Sequence, residues 1–214
     1  MPPKGDITHF VANPASSWLA LVYSTGYVQL VACEEVALLV QPAHKLDGVV
    51  SAVSFSPKGN HLIVATAGSD RVHVHDVQNA FRKVGLFTAP GPVAHIASVP
   101  SAAGSYTVYV TSHPGEQSSA LTTVVLPFLF SKEHRVPGAT PFITLNEAKI
   151  QRTAHILTHR VSAIVPSKAA KHAVAVSFDD HTLSDLTIAD ARLDVVQTHT
   201  ILPIGLSCIA LFYL

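Results

Sequence analysis

Three stretches of the chain share one register. ITHFVANP (Ile7 to Pro14), VSAVSFSP (Val50 to Pro57) and VAHIASVP (Val93 to Pro100) align without a gap. Their starts fall at 7, 50 and 93 and their prolines at 14, 57 and 100, so every step is 43 residues. A period of this size marks a unit that cannot bury its apolar face alone and must stack on its neighbours. A fourth copy, VSAIVP, starts at Val161, which is 25 residues later than the period requires. The excess fits an insertion over 127–149, where Pro127, Pro137, Gly138 and Pro141 carry loop chemistry. IGLSCIAL, from Ile204, reads as the start of a fifth copy.

Each unit resolves into four short strands. In the second, Val50–Phe55 is followed by the turn Pro57-Lys58-Gly59-Asn60, in which Pro fixes φ while Gly and Asn tolerate positive φ. His61–Thr66 contains Leu62-Ile63-Val64-Ala65, apolar on both faces, as a strand sandwiched between two sheets must be. Arg71–His75 alternates, with Val72 and Val74 on one face and His73 and His75 on the other. Phe81–Phe87 is the outer strand. A repeat of about 40–45 residues with four strands is the size of one β-propeller blade. The expected fold is therefore all-β. It has blades at about 7–43, 44–88, 93–158 (with the insertion), 161–201 and a partial one at 204–214. Asn146–His155 is the one stretch where a short helix competes with a strand.

Apolar residues make up 48% of the 214 and charged residues only 13%, a balance that opposes disorder. Fourteen basic residues match fourteen acidic ones, and no basic stripe invites nucleic acid. Two cysteines, Cys33 and Cys208, do not make a disulfide framework. With no signal-peptide pattern and no apolar run of spanning length, a cytoplasmic location is expected and a membrane partner is not.

Ala43-His44, Phe55-Ser56-Pro57-x-Gly59, the turn residue Asp70 and His75-Asp76 together resemble one repeat of the WD-repeat family, with His75 where that family most often has Trp. The resemblance implies a hydrogen-bonded set bracing the blade, at His44, Thr66, Asp70 and His75. His44 follows Ala rather than Gly, and the stretch from Asp70 to His75 is one residue short, so Ser69 competes for the Asp position. Over residues 24–100, Ser24-Thr25-Gly26-Tyr27-Val28, His44-Lys45, Arg82-Lys83-Val84-Gly85 and Val93-Ala94-His95-Ile96 resemble the echinoderm microtubule-associated protein-like propellers. That narrower resemblance implies tubulin or microtubules as a partner, and a cytoskeletal place such as a cilium or flagellum.

Thirteen histidines raise the question of a metal, with His73 and His75 sharing a strand face. No carboxylate or Cys cluster completes that site, so satisfied or exposed imidazoles are expected and no metal or cofactor. Ser177-Phe178-Asp179-Asp180-His181 gathers catalytic residue types in one turn, but adjacency is not the convergent geometry catalysis needs. The expected protein is non-catalytic: a scaffold for protein–protein interaction. The cytoskeletal reading stands first, and a subunit of a trafficking coat or ribosome-assembly complex is the alternative. Lys132 and Arg135 in the insertion, and Lys168 and Lys171 in the fourth unit, are the basic loops that would meet an acidic partner. Four units and a fragment leave three layouts: part of a longer propeller, a small closed ring, or an arc completed by blades from a partner chain.

Overall fold

The computed structural model describes residues 5–34, 37–101, 104–115, 118–130, 152–157, 159–166, 174–178, 182–189 and 192–200, with side chains described up to residue 166. They form seventeen strands and no helix. The first sheet holds β1 (Ile7–Ala12), β2 (Trp18–Tyr23), β3 (Tyr27–Glu34) and β4 (Ala37–Val40), with β5 (His44–Lys45) also on β3. The second runs β6 (Val50–Phe55), β7 (His61–Thr66), β8 (Arg71–Asp76) and β9 (Arg82–Thr88). The third runs β10 (Val93–Pro100), β11 (Ser105–Ser112), β12 (Ser119–Pro127) and β13 (Arg152–Leu157). The fourth runs β14 (Val161–Pro166), β15 (Val174–Phe178), β16 (Thr182–Ala189) and β17 (Arg192–Thr200). All pairings are antiparallel and, apart from β5 on β3, sequential, the pattern of a four-stranded meander repeated four times.

The 43-residue period reappears in the backbone. The first strand of every sheet carries a register shift at its second residue: between Ile7 and His9, Val50 and Ala52, Val93 and His95, and Val161 and Ala163. One extra residue at the same place bends each inner strand and increases its twist. Residues 152–155, where helix and strand competed, are in β13, because that segment supplies the outer strand of the third sheet. His44-Lys45, read as the opening of the second unit, pairs instead with Tyr27 and Val28 at the edge of the first sheet. The proposed fifth start at Ile204 lies outside the described residues.

Stacking follows the alternation in β7. Leu62 and Val64 enter a core with Ala20, Val22, Val28 and Leu30 of the first sheet. Ile63 and Ala65 enter another with Tyr106, Val108, Val110 and Val124 of the third. A third core joins Ala97, Val99, Tyr109 and Leu121 to Val161 and Ile164 of the fourth sheet. Trp18, at the start of β2, packs partly buried against the first core. The innermost strands touch in the order β1, β6, β10, β14, and no comparable contact returns from β14 to β1. Among the described residues the sheets therefore form an open arc, which accounts for the exposure along β1 and β4.

Polar contacts tie the junctions. Asn13 Nδ2 donates to the carbonyl of Gly59 at 3.2 Å, linking the first turns of sheets one and two. Gly59 has φ of 70°, and a Cβ there would lie 1.9 Å from Asn13 Oδ1. Gly59→Ala is expected to cost about 1–2 kcal/mol, from the left-handed backbone and loss of the Asn13 bond. Chemical denaturation of the two proteins measures it, and equal midpoints would refute the coupling.

Candidate functional site

His75 and Asp76 end β8 and organise the turn that follows. Asp76 Oδ1 accepts from the backbone N–H groups of Gln78 (3.0 Å) and Asn79 (3.3 Å), and Asn79 Nδ2 donates to Asp76 Oδ2 at 2.6 Å. The chain then reverses through Ala80 and Phe81, both at positive φ (50° and 56°), closed by Arg82 N–H donating to Asn79 O at 3.0 Å. Two consecutive non-glycine residues in the left-handed region are costly and persist only where surroundings hold them. Here the surroundings are two imidazoles. Buried His75 donates from Nδ1 to Phe81 O at 2.9 Å, and the His44 ring lies 4.7 Å from the Phe81 ring.

Of the four bracing residues implied by the resemblance, the structure thus brings His44 and His75 to one place, with Phe81 between them. Thr66 ends β7 and its backbone carbonyl accepts from Ser69 N–H at 3.1 Å. Asp70 is exposed, and its backbone carbonyl accepts from Ala89 N–H. Among the described residues no hydrogen bond joins these four side chains to one another. Ser69, the competitor for the Asp position, accepts from Arg71 N–H at 3.1 Å and caps the turn. Asp76 and Phe81 do bracing work that sequence reasoning did not assign. The Asp-x-Gln-Asn pattern after β8 is the signal that would have found the turn.

Beside this turn lies a cluster of charge. Lys83 Nζ donates to Asp47 Oδ2, and His73 Nδ1 sits 3.9 Å from the same oxygen. Burial pushes the Asp47 carboxyl up, but the bonded Lys83 ammonium outweighs it and holds the group low. Burial lowers His73 to about 4, with the Lys83 charge adding and the Asp47 charge opposing. The His73 and His75 rings are 6.2 Å apart. Among the described residues, no three His, Cys, Asp or Glu side chains converge as a metal site requires.

A cavity of about 490 Å³ opens between the second and third sheets, lined by Lys58, Asn60, Gln78, Gly104, Phe128 and Leu129. Its floor is wired across the junction. Ser56 Oγ accepts from His61 N–H at 3.0 Å and donates to Asn60 Oδ1 at 2.9 Å. Asn60 Nδ2 donates to Phe128 O at 3.1 Å, and His61 Nδ1 lies 3.0 Å from the Tyr106 hydroxyl. Burial lowers His61 to about 4, so the imidazole is neutral at pH 7. At the mouth Lys58 Nζ stands 4.4 Å above the Phe128 ring, and Leu129 is 85% exposed. An aromatic floor with a cation and two amides at the rim can receive an apolar side chain while pairing with polar backbone or acidic groups. Sequence reasoning placed 127–130 in the insertion and missed this rim. The apolar run Leu126-Pro127-Phe128-Leu129-Phe130 was the available signal. The basic residues Lys132, Arg135, Lys168 and Lys171 lie outside the described residues, as do Asp179, Asp180 and His181.

His75→Leu is expected to destabilise the chain by about 1–3 kcal/mol, because the buried Phe81 carbonyl loses its donor. Denaturant titration measures it, and an unchanged midpoint would show that His75 is packing alone. Neutral, buried His61 and His73 also make stability pH-dependent. Their folded values lie below the unfolded 6.5, so the unfolded chain takes up protons first as pH falls. Stability is full above about pH 6.5 and declines towards pH 4, by up to about 1.4 kcal/mol per pH unit for each imidazole. Thermal melts at pH 7 and pH 5 should show a lower midpoint at pH 5; identical midpoints would contradict the burial of both rings.

The fold has a known counterpart. The chain is similar to the β-propeller domain of Cps50 (Swd1) from Myceliophteria thermophila, with a TM-score of 0.60 and 15% identity over 94% of this chain. It spans 56% of that chain's length. No family model and no curated protein matches the sequence. Structural likeness at this identity establishes the fold, a β-propeller, whose described residues form an open arc.

Proposed function

We propose that the chain is a non-catalytic scaffold that binds other proteins through the loops and rims of its propeller arc. The observation that carries this reading is the cavity at the junction of the second and third sheets. There an exposed Leu129 and the Lys58–Phe128 pair stand on a floor fixed by hydrogen bonds from two sheets. A rigid frame with an apolar anchor point and a polar rim is the anatomy of a protein-docking surface. The finer reading is association with microtubules or the ciliary or flagellar cytoskeleton. It rests on the resemblance of residues 24–100, and on an exposed Lys58 where an acidic tubulin tail would approach.

Co-sedimentation with microtubules at low and high salt tests it, with the chain alone as control. The expected result is salt-sensitive pelleting that weakens in Lys58→Glu and Leu129→Asp while melting temperatures hold, since both side chains are exposed. Folded chain that stays in the supernatant with microtubules would overturn the cytoskeletal reading and turn attention to another large assembly. Pelleting that ignores both variants would overturn the cavity as the docking point.

A further inference from the structure

The cavity between the second and third sheets carries a specific pattern of charge and hydrogen-bonding groups. Its lining comes from four separate chain reversals: Lys58 and Asn60 between β6 and β7, Gln78 between β8 and β9, Gly104 between β10 and β11, and Phe128 and Leu129 after β12. The surface beneath is aromatic, with the Tyr106 ring 5.1 Å from Phe128 and the Phe130 ring 5.3 Å from His61. Lys58 is the one ionised side chain in this lining, and among the described residues no carboxylate pairs with its ammonium. Asp76 is taken up by its own turn, accepting from the N–H groups of Gln78 and Asn79 and from Asn79 Nδ2. Asn60 is taken up as well, accepting from Ser56 Oγ and donating to Phe128 O. Gln78 differs: it is exposed, and its side-chain amide makes no hydrogen bond among the described residues. The mouth thus offers one positive charge without a counter-charge, one open amide, and Leu129 beside an aromatic floor.

Resting on the reading of this cavity as a protein-docking point, we propose that its occupant is a short acidic segment of a partner protein, with one aromatic side chain as anchor and a carboxylate beside it. The anchor enters against Phe128 and Leu129, where ring packing adds to apolar burial. The carboxylate pairs with Lys58, whose ammonium already stands over the Phe128 ring at the mouth, so little side-chain freedom is lost on docking. Gln78 meets the segment's backbone, because a side-chain amide both donates and accepts as a peptide unit does. The floor adds no second charge, since His61 is neutral at pH 7. A volume of about 490 Å³ falls among sites that enclose a small ligand, about 300–1,000 Å³. A basic segment would set like charge against Lys58, and a purely apolar one would cover the ammonium without a partner.

Fluorescence polarisation on the full chain with three labelled peptides is the test. The first sets a Phe among Glu residues, the second sets the same Phe among Lys residues, and the third replaces the Phe of the first by Ala. The first is expected to bind, and the other two to bind about tenfold more weakly or worse. In Lys58→Glu the first peptide should lose about tenfold and the second should gain, a reversal that a merely damaged surface does not give. Leu129→Asp should weaken the first peptide, and circular dichroism checks that both variants remain folded. Equal binding of the acidic and basic peptides would overturn the proposal, as would a Lys58→Glu variant that loses the first without gaining the second. Microtubule pelleting that depends on Lys58 and Leu129 while no peptide binds would overturn this occupant and leave the docking reading standing. The expected peptide pattern without pelleting would support it and remove only the cytoskeletal reading.

Discussion

The structure depends on a strand that is apolar on both sides. In β7, Leu62 and Val64 point to the first sheet, and Ile63 and Ala65 point to the third. Each side chain buried this completely contributes about 1.5–3 kcal/mol for a large aliphatic group, but only while both neighbours are present. A single four-stranded sheet would present these residues to water. Stability is thus a property of the stack, in which each sheet is worth its own pairing plus two interfaces. The end sheet shows the converse, with β1 and β4 exposing the residue types that β6 and β10 bury.

Apolar stacking by itself does not set one sheet's angle on the next, because it is non-directional. Polar atoms at each junction do. Asn13 bonds to Gly59 between sheets one and two, and Ser98 Oγ donates to Phe55 O between sheets two and three. Ser119 Oγ accepts from Val161 N–H at 2.9 Å between sheets three and four. Buried imidazoles share this duty: His61 meets Tyr106, and a hydrogen bond to Val161 backbone opposes the lowering of His95 by burial. Burial favours the neutral form of these imidazoles, which serve here as hydrogen-bonding groups. At His61 and His95 the imidazole fastens one sheet to the next, while at His75 it holds a turn within its own sheet.

This frame bears on function by holding its turns in fixed conformations. The turn after β8 keeps Ala80 and Phe81 in left-handed backbone because Asp76, His75 and His44 hold them there. The turn at Pro57–Asn60 is fixed through Ser56 and Asn60 to Phe128, the residue that follows β12 of the next sheet. A surface built on turns so constrained loses little entropy when a partner docks.

Much was determined by the sequence alone. The 43-residue step defined the units, and strict local patterns placed β6 and β7 at their observed bounds. These signals are legible because strand alternation and turn chemistry act over a few residues and repeat. The outer strands were less sharply marked: β9 begins at Arg82 rather than Phe81, since Phe81 is drawn into the turn by His75. Three matters were decided only by tertiary structure. His44 was assigned to the first sheet's edge, Phe81 replaced Thr66 and Asp70 as the partner of the two histidines, and Phe128 and Leu129 became a cavity wall. Each depends on a contact between residues far apart in the chain, where spacing carries no information and only the stacking of whole sheets brings the groups together.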